Sequence, residues 1–276
     1  MNDTSRLWTC AGGLGLSIGK RGLVMGIVNV TPDSFSDGGQ FRQVDAAVSH
    51  ALALIAQGAD IVDIGGESTR PGALPVSAAE EQDRVLPVIE QLSRETSAAI
   101  SVDTYRADTA RLALAAGAHI VNDVFGLQKD EEMAQVVADA GAGVCIMYTS
   151  RERELASPDI LADRAAFFSR SLALADAAGI ARSAITLDPG FGFNREPGQD
   201  VELLARFAAM ENFGLPVLAG TSRKRFIGAL TGRDVAAERD AGTLATTVLL
   251  RLAGAAIFRV HNVTATRDAL AVVDAI

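Results

Sequence analysis

The segment GADIVD, residues 58–63, opens on a glycine, passes through one alanine into a β-branched run and ends on a carboxylate. The design returns as GAHIVN at 117–122, GAGVCI at 141–146 and GAAIFR at 254–259. Each copy follows an alanine-rich stretch of helical period, so the glycine reads as a helix C-cap and the apolar run as a buried strand. The spacing from Gly58 to Gly117 leaves room for about two βα units of roughly 30 residues each. Working outward from these joints places strands near residues 23–28, 60–64, 99–103, 119–123, 143–148, 184–188, 215–220 and 256–260. Eight parallel strands alternating with eight helices predict an α/β fold, the (β/α)8 or TIM barrel. No linker or charge block interrupts the rhythm, so residues 1–276 read as one domain. Residues 5–20 alternate loosely between glycine turns and predict a short N-terminal hairpin closing the bottom of the barrel.

Composition narrows the function. A chain of 276 residues with 49% hydrophobic content can bury a full core. Its formal net charge of −9 argues against a nucleic-acid partner, which needs a basic stripe to neutralise phosphates. An anionic small molecule would therefore need a locally basic pocket. Nowhere does the chain offer the roughly 18 apolar residues of a spanning helix, and the start MNDTSRLWTC lacks a signal-peptide pattern. The expectation is a soluble, unprocessed, cytoplasmic protein without a membrane partner. Cys10 and Cys145 are the two cysteines, and Cys145 in GVCIMY reads as a buried free thiol.

In such barrels the active site forms where strands end and βα loops begin. The strand ends read Asn29, Asp63, Asp103, Asn122 with Asp123, Met147 with Tyr148, Asp188, Thr221 with Ser222, and Arg259 with His261. One polar strand end is ordinarily a turn former or helix cap, and Asp63 fits that role as well as a site role. Seven or so on one face describe a polar pocket. Asp103 and Asp188 end apolar strands, where burial is costly unless each meets a donor pair. A heterocycle presenting an amino group beside a ring N–H would supply that pair, and Asn122 can donate and accept on the same edge.

AGTSRKRFIG, residues 219–228, sets Arg223, Lys224 and Arg225 at the start of a helical pattern, against its macrodipole. An anion or electron-rich group there would resolve the conflict; Lys224 is the candidate and Arg225 reads as surface. Arg70, Arg259 and His261 add donors on neighbouring strand ends, suiting phosphate oxygens. Mg²⁺ takes few protein oxygens and lets phosphates supply the rest, which Asn29 could satisfy as a single carboxamide ligand. The loop TPDSFSDGG, residues 31–39, carries Asp33, Phe35 and Asp37 directly after the first barrel strand, and such loops commonly close over ligands. His50 and His119 read as structural. No Gly-x-Ser-x-Gly elbow or cysteine–base pair suggests a covalent nucleophile.

The blocks NVTPDSFSDGG, DIGGESTRPG, SVDT, GAHIVND, LDPGFGF, SRKRFIG and RVHNV, in this order, resemble the signatures of the dihydropteroate synthase family from about residue 23 onward. The resemblance implies a homodimeric transferase of folate biosynthesis. It would condense 6-hydroxymethyl-7,8-dihydropterin pyrophosphate with p-aminobenzoate, assisted by Mg²⁺ and inhibited by sulfonamides. It also implies that Asp103, Asn122, Met147, Asp188, Phe193, Gly220 and Lys224 bind the pterin. Asn29, Thr69, Arg70, Arg259 and His261 would hold the pyrophosphate, with Asn29 on the metal, and Phe35, Thr69, Pro71 and Ser222 the p-aminobenzoate. Asp103, Lys224, Asn29, Arg259 and His261 would carry the catalysis. A pterin-binding paralogue lacking or altering the synthase activity is the alternative, with a pterin-dependent methyltransferase behind it.

The chain departs from the family pattern at four places. Tyr148, Thr149 and Ser150, then RERELASP, stand where His-Met and a glycine are usual. Asn194 and Arg195 replace a common Gly-Lys, Asn262 replaces Asp, and Tyr105 and Arg106 replace a small residue and Lys.

Overall fold

The structure, a computed structural model, describes residues 6–31, 40–68, 74–194, 196 and 198–276. An antiparallel hairpin comes first, β1 (Arg6–Thr9) and β2 (Gly15–Ile18). The barrel strands and their helices follow in alternation. They are β3 (Leu23–Asn29) with α1 (Gln40–Ala56), β4 (Ile61–Gly65) with α2 (Ala78–Glu95), and β5 (Ala99–Asp103) with α3 (Ala107–Ala115). Next come β6 (Ile120–Asp123) with α4 (Met133–Asp139), β7 (Gly143–Met147) with α5 (Ile160–Ala178), and β8 (Ile185–Asp188) with α6 (Gln199–Ala205). β9 (Leu218–Ala219) leads into both α7 (Arg225–Thr231) and α8 (Asp240–Leu252), and β10 (Ile257–Val260) into α9 (Val263–Val273). The described residues thus hold nine α-helices where eight were expected, the extra one lying between β9 and β10.

The parallel strands pair in the order β8-β7-β6-β5-β4-β3-β10-β9, and a parallel bridge from Leu187 to Val217 brings β8 back towards β9. This seam is thinner than the expected strand over 215–220. Pro216 has no N–H to donate, and Gly214 before it turns through a left-handed backbone (φ 64°). The segment therefore joins its neighbours through carbonyls: Pro216 O accepts from Leu187 N and Val217 O from Ala256 N, both at 2.9 Å.

The four glycine joints share one geometry. Gly58, Gly117, Gly141 and Gly254 all have positive φ, between 56° and 113°. In each, the glycine N–H donates to the carbonyl three residues back and the following alanine N–H to the one five back, as in Gly58 to Ile55 and Ala59 to Leu54. Gly179 and Ile180 make a fifth such joint at the end of α5.

Alternation along the strands sorts the core into two parts. Val62, Ile64, Val102, Val121, Val144 and Ile146 face the helices. Met25, Ile61, Ala99, Ile120, Cys145, Leu218 and Ile257 fill the lower barrel interior, together with Trp8, Cys10 and Ile18 of the hairpin. The hairpin therefore plugs the bottom of the barrel as expected. Trp8 is 1% exposed and donates from Nε1 to Ala184 O at 2.9 Å. His119 accepts from Ile100 N at Nδ1 (3.1 Å), a structural role, and His50 is exposed on α1.

Candidate active site

Two residues above the apolar interior layer, the same inward phase brings polar side chains. Asp63 stands above Ile61, Asn122 above Ile120, Met147 above Cys145 and Arg259 above Ile257, with Asp103 at the end of β5. Together with β8 and the start of the α7 segment, Asp103, Asn122, Met147 and Arg259 line a cleft at the C-terminal end of the barrel. Its walls include Asp103, Asn122, Met147, Asp188, Phe193, Gly220, Lys224 and Arg259. The residues that the resemblance assigned to the pterin thus converge on one cavity. Val124 and Phe191 also line it.

Arg259 organises the floor. Its Nε donates to Asp63 Oδ2 at 2.6 Å and its Nη2 to Asp103 Oδ2 at 2.7 Å. Asp63 is fully buried and also accepts from Asn122 Nδ2 at 3.2 Å. It is therefore neither a turn former nor a cap but the anchor of a buried charge cluster. Asp63 Oδ1, Ser101 Oγ and Asn122 Oδ1 are buried without a protein partner, and such atoms are costly unless a ligand or water meets them.

The electrostatics follow from this crowding. Burial pulls against the charge on Arg259, but Asp63 and Asp103 more than offset it and hold the guanidinium protonated. Burial raises the Asp103 carboxyl above the ordinary carboxylate range, opposed by Arg259 and reinforced by Asp63. Asp188 is pushed up to about 6 by burial, although Gly190 N–H donates to its Oδ1 at 2.7 Å. Burial, aided by the Arg259 charge, lowers the Lys224 ammonium to about 8.

Lys224 stands just before α7, with its Nζ 4.5 Å from the centre of the Phe193 ring. Gly192 makes room for it: a Cβ there would come within 2.8 Å of Lys224 Cδ, and the backbone has φ 77°. Its neighbours leave the cleft. Arg223 pairs with Asp240 (Nε to Oδ1, 2.7 Å) and Arg225 is exposed. Of the three cations at this helix start, Lys224 alone lines the cavity.

Arg259 apart, the other assigned residues lie beyond the lining of the cleft or outside the described residues. Asn29 ends β3 opposite Gly65, beyond the residues lining the cleft. Ser222 and His261 are joined to each other, Oγ to Nδ1 at 2.9 Å. Arg259, assigned to the pyrophosphate, lines the cleft and donates from Nε and Nη2 to the floor carboxylates. Phe35, Thr69, Arg70 and Pro71, like Asp33 and Asp37, lie outside the described residues. Asp63, which the sequence leaves open between a cap and a site role, lies beneath the cleft as the partner of Arg259 and Asn122.

The atypical residues prove mutually supporting. Tyr148 points away from the cleft, and its hydroxyl donates to Asp163 Oδ2 at 2.6 Å. The buried Arg164 guanidinium lies 4.0 Å from the Tyr148 ring centre and donates to Asn194 Oδ1 at 2.6 Å. Ser150 donates from both N and Oγ to Phe193 O. Asn262 caps α9, accepting from Ala265 N, while its amide donates to Asp240 at 3.0 Å, which an aspartate could not do. Arg106 forks onto Glu67 at 2.8 Å and Glu81 at 3.0 Å.

The pterin binding enzyme family model matches residues 25–261. The dihydropteroate synthase of Bacillus subtilis (strain 168) is 45% identical over 248 residues, covering 90% of this chain and 86% of the relative. A Xanthomonas albilineans dihydropteroate synthase solved with 4-aminobenzoic acid superposes with a TM-score of 0.92 at 45% identity, over 99% of this chain and 98% of that one. Another from the same organism, in complex with 7,8-dihydropteroate, gives a TM-score of 0.86 at 43% identity, over 96% and 98%. With the family blocks in order along the chain and their residues gathered at one barrel mouth, this chain belongs to the pterin-binding enzymes and, within them, to the dihydropteroate synthase family.

Proposed function

We propose that this protein condenses 6-hydroxymethyl-7,8-dihydropterin pyrophosphate with p-aminobenzoate in folate biosynthesis, giving 7,8-dihydropteroate and pyrophosphate. The observation that carries this reading is the cleft itself, in which two buried carboxylates and the unpartnered Asn122 Oδ1 face a cavity walled by Met147 and Phe193. A flat heterocycle with amino and ring N–H donors meets those groups edge-on and the apolar walls face-on.

In the reaction the bond from the pterin methylene carbon to the pyrophosphate oxygen breaks, and the electron pair leaves with pyrophosphate. The p-aminobenzoate nitrogen forms the new bond to that carbon and releases one proton to solvent. Asp103 stabilises the positive charge that develops on the pterin. Lys224 bonds the polar edge of the ring and Asp188 its amino edge. In this reading Ser222 would serve the amine and His261 the pyrophosphate, and their hydrogen bond, Oγ to Nδ1, would hold the two side chains together. Exclusion of water from the reactive carbon would leave the arylamine as its nucleophile.

The rim suits Mg²⁺ because this ion needs few protein oxygens when phosphates supply the rest. Asn29 offers one carboxamide oxygen there, and no cluster of three or more His, Cys, Asp or Glu side chains is present among the described residues. Asn29 would hold Mg²⁺ on the protein side, and the bound ion would supply charge neutralisation for the pyrophosphate. Sulfonamides would compete for the p-aminobenzoate position.

A homodimer fits the exposed apolar side chains of Leu230, Leu249, Leu252 and Val272 on α7, α8 and α9, each more than half exposed. Light scattering should give twice the chain mass. The two buried free thiols suit the reducing cytoplasm, and no helix among the described residues is long and apolar enough to cross a membrane.

The experiment is pyrophosphate release by the purified protein with the pterin substrate and Mg²⁺, with and without p-aminobenzoate. Release dependent on p-aminobenzoate supports the synthase. Pterin binding without turnover supports the non-synthase paralogue instead.

A further inference from the structure

The loop after β7 departs furthest from the family pattern, and its Arg151 has no part in the reaction outlined above. Its guanidinium carbon lies 4.4 Å from the centre of the Phe193 ring, and Lys224 Nζ lies 4.5 Å from the same centre. Phe193 is a buried wall of the cleft. The loop is built to hold Arg151 in this place. Tyr148 N donates to Asp188 O at 2.8 Å, and Ser150 N and Oγ donate to Phe193 O at 3.2 and 2.8 Å. Gly190, with φ 77°, lets the two loops touch, since a Cβ there would collide with Tyr148 O. On the far side Arg153 pairs with Asp163, and Glu152 takes up a left-handed backbone (φ 55°) while pairing with Lys129.

We propose that Arg151 is a positioning residue of the pterin site, acting on Lys224 through the Phe193 ring that both cations share. A cation on an aromatic face is attracted by the ring quadrupole, and the flat guanidinium stacks where an ammonium cannot. Arg151 thereby fixes the ring that forms the pterin wall. Its positive charge also repels that of Lys224. The groups facing Lys224 are Arg259 from β10, Asp188 from the end of β8, Asp200 from α6, Asp103 from β5 and Arg151. The two arginines favour the neutral amine, and the aspartates favour the ammonium.

This inference rests on the synthase reading, and the test separates the two. R151Q removes charge and stacking at similar size; R151K keeps charge without the flat face. For R151Q the KM for the pterin substrate should rise roughly fivefold, and the alkaline limb of kcat/KM should move to higher pH because Lys224 keeps its proton longer. R151K should leave the limb in place and raise KM less. Calorimetric titration with the pterin substrate should show the same affinity order without turnover. Wild-type KM and an unmoved limb in R151Q overturn the role, as does a fall in thermal stability with the limb unmoved, which would mark a loop brace only. A wild-type protein that neither binds nor turns over the pterin substrate overturns both readings.

Discussion

Arg259 and Asp103 meet across the barrel mouth, Nη2 to Oδ2 at 2.7 Å, although 156 residues separate them in the chain. The same guanidinium grips Asp63 from below. Asp103 is thus held at the cleft while burial raises its carboxyl above the ordinary range.

Replacing Asp103 with Asn keeps the shape and removes the charge. D103N should lose at least about a hundredfold in kcat, the scale of one preorganised electrostatic group. Its circular dichroism spectrum should match that of wild type. Steady-state kinetics check the loss, and undiminished turnover would take Asp103 out of the reaction.

The pH dependence has a definite sign. The carboxylates of Asp103, raised to about 7, and Asp188, raised to about 6, are lost to protonation as pH falls through those values. The ammonium of Lys224, lowered to about 8, is lost as pH rises through that value. The kcat/KM for the pterin substrate should therefore form a narrow bell, with its acid limb at about 6 to 7 and its alkaline limb at about 8. In a Lys224→Arg variant the alkaline limb should vanish from this range, and a limb that stays would belong to another group.

Trp8 tests the division between the two ends of the barrel. Its indole is buried in the lower interior, with Nε1 bonded to Ala184 O. W8A should cost about 3 kcal/mol or more in urea unfolding, as for other buried aromatic deletions. The folded fraction should keep its KM, because the active site sits at the opposite end.

The barrel was legible because its joints repeat: a left-handed glycine, a small alanine and a β-branched run specify helix, turn and buried strand locally. The joint at Gly179 escaped the motif because Ile180 replaces the alanine, and the strand expected over 215–220 is cut to Leu218–Ala219 because Pro216 cannot donate to a ladder. In the site, Asp103, Asn122, Asp188 and Lys224 could be placed from strand ends and family blocks. Asp63 could not, because a polar strand end is as often a turn former, and only the inward phase shared with Ile61 decides. Arg259 was placed at the mouth, but its grip on two carboxylates from distant strands is set by barrel closure, which no local pattern encodes. The same holds for Tyr148 and Asn194, which read as separate departures and meet only in three dimensions, through Arg164.

The central claim is that this cleft joins a pterin to an arylamine, and product analysis tests it most directly. The purified protein should be incubated with the dihydropterin pyrophosphate, Mg²⁺ and p-aminobenzoate, and the mixture resolved by mass spectrometry with D103N in parallel. The wild type should give 7,8-dihydropteroate with stoichiometric pyrophosphate, and the variant a yield at least about a hundredfold lower. Equal product from both proteins, or a wild type that binds the pterin substrate yet forms no dihydropteroate, would contradict it.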